Sequence, residues 1–147
     1  MKKLLLVFFG IILFTGCSSR NVMKCSYKSK DSEKTISLSY KVKHKGSKVL
    51  AVESVEKVIS NDKSIIDSYK EDVEDFYEPF KYVDNYSYKI KSNNKSITVN
   101  TSIDYSKIDL NEMMMIDPDI EQLMEDGYID LDLMKISYEN LGLECKK

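Results

Sequence analysis

The sequence reads as an α+β domain: two antiparallel β-hairpins in the order ββαββαα, with the helices packed on one face of the sheet. Two blocks of alternation carry the strands. Ile36, Leu38, Tyr40 and Val42 alternate with polar residues, and so do Tyr86, Tyr88 and Ile90, then Ile97, Val99, Thr101, Ile103 and Tyr105. A period of two is that of a half-buried strand. Between and after these blocks, apolar residues recur every three or four positions, which gathers them on one side of a helix.

The chain opens with an export signal. Lys2 and Lys3, the apolar run Leu4–Phe14 broken only by Gly10, and Thr15-Gly16-Cys17 supply its charged head, hydrophobic stretch and small-residue exit. The run is too short to cross a ~30 Å hydrocarbon core as an ordinary helix. Its end, Leu13-Phe14-Thr15-Gly16-Cys17, resembles the bacterial lipoprotein signal. That resemblance implies cleavage before Cys17 and a lipid anchor on that cysteine, two or three acyl chains being needed for a durable hold. A plain secreted protein and an uncleaved membrane helix are the other readings. Residues 1–16 are thus a lipoprotein signal peptide, 17–32 a polar lipid-anchored tether and entry segment, and 33–147 a single domain.

Within the domain, Thr35–Val42 is the first strand and Lys43-His44-Lys45-Gly46-Ser47 its hairpin turn, with Gly46 free to take positive φ. Val49–Ile59 returns. Leu50 and Val52 share one face while Val55 and Ile59 share the other, so a bulge near Glu53 or Ser54, or a bend where the strand leaves the sheet, is expected. Ile65, Tyr69, Val73, Phe76 or Tyr77, and Phe80 mark a helix capped by Asn61 or Asp62 and ended by Pro79. The second hairpin turns at Ser92–Lys95. Asp117-Pro118 starts a short helix that Gly127 stops. Asp130 caps the last helix, Ile129 and Met134 can form a hydrophobic staple, and Gly142 supplies a left-handed C-cap over which Leu143 folds back.

Removal of residues 1–16 leaves 131 residues, enough for one core, and lowers the net charge from −2 to −4, because only Lys2 and Lys3 are lost. No basic stripe is visible along the chain. Nucleic acid is therefore not an expected partner, and contact with an anionic membrane would depend on lipid rather than charge. With Cys17 assigned to lipid, Cys25 and Cys145 remain as a pair, which in an exported chain reads as a disulfide. Seven residues between Cys17 and Cys25 give a tether of roughly 25 Å.

Chemistry-bearing motifs are scarce. His44, the single histidine, lies in a lysine-rich turn and is expected to be exposed; phosphate loop, metal-binding histidine pair and nucleophile elbow are all missing from the sequence. The acids Glu71, Asp72, Glu74, Asp75 and Glu78, and those around Asp117–Asp132, read as solvated faces and caps without calcium-loop spacing. Met113-Met114-Met115-Ile116 exceeds what one buried face can use; core packing around a tight connection is one reading, and the run is also the candidate contact surface. Tyr82, Tyr86, Tyr88 and Tyr105 read first as sheet residues with buried rings and hydroxyls that reach water, and a groove lined by them is the other reading.

Taken together, several pieces resemble the YehR-like family of small bacterial envelope lipoproteins, whose function is undefined. They are the signal ending at Cys17, Cys25, and Thr35–Val42 with its Lys-Gly turn. Thr98–Tyr105 running into Ser106-Lys107-Ile108-Asp109-Leu110, and Leu141-Gly142-Leu143-Glu144-Cys145-Lys146, complete them. The resemblance implies a lipid-anchored α+β domain with paired terminal cysteines and carries over no catalytic residue. The expectation is a non-enzymatic binding module on the extracytoplasmic face of the cell membrane. It would be held to membrane lipid through acylated Cys17, without cofactor or metal, and would meet an unknown envelope protein or ligand. The alternative is binding of a small ligand or divalent cation.

Overall fold

The computed structural model describes residues 21–147; the expected signal peptide and the expected lipidation site, Cys17, lie outside the described residues. The chain enters directly as strand β1 (Asn21–Lys30), which pairs antiparallel along its whole length with β2 (Lys34–Lys45). This adds a strand to the expected ββαββαα order, in which residues 17–32 were a tether and entry segment. Met23 and Cys25 are buried and Tyr27 half-buried, while Lys24, Ser26 and Lys28 are exposed. The alternation is present but rests on few apolar residues, one of them a cysteine.

β2 turns through Gly46 (φ 59°) and Ser47 into β3 (Lys48–Ser60). The register shift falls at Lys43/His44, where Leu50 is the extra residue, rather than near Glu53 or Ser54. From Val52 to Ser60, β3 alternates regularly. Its inward positions include Ser54 and Ser60, whereas Val55 and Ile59 point outward, 45% and 43% exposed. Hydropathy there runs opposite to burial.

Asp62 caps α1 (Lys63–Tyr77), its carboxylate accepting from the Ser64 amide at 2.8 Å. Regular helix ends before Pro79, and a tighter 3-10 turn, Glu78–Tyr82, follows. Its buried side uses Ile66 and Tyr77; Phe76 is exposed. β4 (Tyr86–Asn93) and β5 (Ser96–Ile103) form the second hairpin, and β5 pairs with β3. The two hairpins therefore share one sheet.

Asp109 caps an additional helix, α2 (Leu110–Ile116), by accepting from the Asn111 and Glu112 amides. Asp117-Pro118 opens only a 3-10 turn, Pro118–Leu123. Gly127 is not its stop: Asp126 (φ 49°) and Gly127 (φ 80°) turn a two-residue hairpin, β6 (Met124–Glu125) and β7 (Tyr128–Ile129). Asp130 caps α3 (Leu131–Asn140), accepting from Asp132 and Leu133 at 2.8 and 3.0 Å. Ile129 and Met134 are both buried in the main core. Beyond Leu141, the Gly142 amide donates to the Glu139 carbonyl and the Leu143 amide to the Tyr138 carbonyl, the paired bonds of a Schellman cap. That cap reverses the chain into β8 (Glu144–Lys146) alongside β1.

The result is a six-stranded antiparallel sheet, β4-β5-β3-β2-β1-β8, plus the small hairpin. The inward side chains of its central strands, among them Val42, Val52 and Val99, share one core with Phe80, Met113, Ile120 and Met134 of the helical layer. Among the described residues this core runs from β1 to the α3 cap, and β8 is bonded covalently to β1. The described residues thus supply a core and a covalent closure of their own.

Candidate functional site

Cys25 and Cys145 sit directly opposite on β1 and β8 and form a disulfide, Cα to Cα 4.0 Å. Because Cys25 is buried inside β1, the chain before Asn21, not the whole span to Cys25, is what separates Cys17 from the sheet. Of the methionine run, Met113 is in the core, Met114 and Ile116 are half-buried, and Met115 is 80% exposed. Four consecutive helical residues point in four directions, so one of them remains for a contact surface. His44 is not an exposed turn residue. It is 5% exposed, its Nδ1 donates to the Gly46 carbonyl at 2.8 Å, and its Nε2 has no partner among the described residues.

The tyrosines gather around a glutamate that sequence reading did not single out. Glu56, on the inward face of β3, accepts from the hydroxyls of Tyr40 (3.0 Å) and Tyr77 (3.3 Å). Tyr40 packs on Tyr138 of α3, Tyr77 stacks on Tyr88, and Phe80 stacks on Tyr86. Burial pushes Tyr105 up to about 12, with the Asp117 charge adding. Burial first, then neighbouring charges that include Glu56, pushes Tyr40, Tyr77, Tyr86 and Tyr138 higher still. Tyr82 stands apart and exposed. Beside Glu56 lies an apolar cleft of about 140 Å³, lined by Ile36, Leu38, Tyr69, Val73 and Ile97. Ligand pockets for small molecules usually run from about 300 Å³ upward, so this one admits only a small group.

On the helical side, Ile136 (54% exposed) and Leu141 (71%) line an open groove of about 490 Å³ between α3 and the Pro118–Leu123 turn. Asp117 and Asp119 rim it. Among the described residues, no three His, Cys, Asp or Glu side chains converge as a metal-binding set.

The opposite face of the sheet has a different character. Residues paired across antiparallel strands point to the same side, and the register builds rows of them. One row crosses five strands as Lys28, Ser37, Lys57, Thr98 and Lys91. Another runs Lys146, Lys24, Lys41, Glu53 and Ser102. Lys30, Lys43 and Lys89 lie on the same side. Against these nine lysines stand two acids, Glu53 and Glu144. Glu53 pairs with Lys43 and, at 3.7 Å, with Lys41; the Lys43 contact holds its carboxyl below the usual range. The fold thus assembles the basic surface that no stretch of sequence displays. The signal was lysine at period two, as at Lys28 and Lys30, Lys41 and Lys43, and Lys89 and Lys91.

No family model matches the chain, and no curated protein does. Two solution NMR structures share its fold. YehR of E. coli is 18% identical, with a TM-score of 0.57 over 88% of this chain and 94% of YehR. A protein from Streptococcus pneumoniae TIGR4 is 13% identical, with a TM-score of 0.59 over 99% of this chain and 96% of that one. The fold is YehR-like.

Proposed function

We propose that the chain is a membrane-anchored extracytoplasmic lipoprotein of the YehR-like kind, whose domain binds an envelope partner without chemical turnover. The observation that carries the binding role is the groove beside α3, where Ile136 and Leu141 stay exposed although the domain has a core to bury them in. Asp117 stands two residues past Met115, so the contact surface extends from the groove toward α2. Export is supported by the signal pattern and by the Cys25–Cys145 bond, which suits an oxidising compartment.

Two measurements test this reading. Intact-mass analysis of the natural product should show a chain starting at acylated Cys17; a chain retaining Met1 with Cys17 unmodified rejects anchoring. Crosslinking in intact cells should lose its partners in M115S and in the double variant I136S/L141S. Unchanged partners in folded variants reject the surface. Binding of a small ligand is supported only by the cleft at Glu56. Saturable heat in a calorimetric ligand screen, abolished by E56Q, would favour it over a protein partner.

A further inference from the structure

We infer that the open face of the sheet lies against an anionic phospholipid bilayer. The inference deepens the anchored reading, because it gives the tethered domain a side to rest on. Lys28, Lys57 and Lys91 occupy every second strand of one row, about 10 Å apart, with Ser37 and Thr98 between them. Lysine with hydroxyl neighbours is the side-chain set that meets phosphate oxygens. Among the described residues, Lys24, Lys28, Lys30, Lys57, Lys89 and Lys91 enter no ion pair, so their charge is uncommitted.

The spread of these charges selects the occupant. They cover the sheet from β8 to β4 in two dimensions, whereas a linear polyanion is held by a groove that tracks its backbone. No aromatic ring projects from the face among the described residues, which removes the stacking platform a nucleic acid uses. Cys17 stands four positions before Asn21, a reach of at most ~14 Å, and Asn21 begins a strand of this same sheet. Resting on its lysines, the domain turns its acid-rimmed groove away from the bilayer.

The test uses the chain from Ser18 onward, which keeps every described residue and carries no acyl group. Its outcome is therefore independent of acylation, which the mass measurement decides separately. Co-flotation with vesicles containing half phosphatidylglycerol is compared with pure phosphatidylcholine at low salt. Binding should appear only on the anionic vesicles. About fivefold should be lost per lysine removed near the surface, so K28Q/K57Q/K89Q/K91Q should bind on the order of several hundredfold more weakly. The control variant K63Q/K70Q/K135Q, on the helical side, should bind as the parent does. Equal binding to both vesicle types, or equal loss in the control, overturns the inference. So does self-association without vesicles that the first variant abolishes, because the face would then meet the acidic side of a second copy.

Discussion

Two polar contacts inside the domain set predictions at the residue scale. Ser54 and Thr101 are buried and share a 2.6 Å hydrogen bond between β3 and β5. S54A leaves the Thr101 hydroxyl without its partner and should cost about 1–3 kcal/mol in urea unfolding. The double variant S54A/T101V removes both groups and should recover most of that loss; additive losses would show that the bond is not the source. The tyrosines around Glu56 give a pH dependence. Each binds its proton more tightly folded than unfolded, so its contribution is complete below pH ~10, where the unfolded chain titrates. It is then lost as pH rises through the folded values, which begin at about 12 for Tyr105. Stability should be flat across neutral pH and decline above ~10, with tyrosinate absorbance appearing on unfolding. E56Q keeps an acceptor for Tyr40 and Tyr77 but removes the charge that helps to raise them, so its alkaline decline should be shallower. An unchanged decline would leave burial and the other neighbouring groups, not Glu56, as the cause.

Among the elements, β8 depends most on a single bond. It has three residues, lies on the sheet edge and reaches β1 through the Schellman cap and the disulfide. The bridge closes a separation of 120 residues, for which chain entropy gives a ceiling of roughly 5 kcal/mol and practice a loss of about 2–5. C25S/C145S should fold with that deficit, and hydrogen exchange should show β8 amides opening early while β3 and β5 follow global unfolding. Full protection of β8 would mean that Leu143 and the α3 cap hold it unaided. These elements also show what a sequence can reveal. β2, β4, β5 and α3 are legible because alternation, turn and cap residues agree within each segment. β3 misleads because Ser54 and Ser60 take inward places while Val55 and Ile59 face out, a choice made by the β5 pairing. β1 hides behind a polar flank, and β8 is too short to carry a pattern. Of the candidate site residues, the Cys25–Cys145 pairing follows from counting cysteines. The methionine surface reduces to Met115 once α2 forms. The Glu56 cluster and the lysine rows come from register between distant strands, which no local window contains.

At the scale of the whole molecule, the charge is nearly balanced but sorted: net −2 overall, with lysines on the open sheet face and most acids on and between the helices. Sorting has a cost that balance conceals. Two unit charges 10 Å apart in water repel by about 0.4 kcal/mol before screening, and the Debye length of ~8–10 Å at moderate salt removes much of that. K28Q/K57Q/K89Q/K91Q relieves several such pairs and, among the described residues, breaks no ion pair. It should therefore be more stable than the parent by about 0.5–1 kcal/mol in urea at low salt, and the two curves should converge at high salt. A variant less stable at both salt levels would show that the lysine stems pack the face and that their charge is incidental. Gain of stability together with loss of vesicle binding is the pattern of side chains retained for what they touch outside the fold. That pairing separates a working surface from a merely solvated one more sharply than either measurement alone.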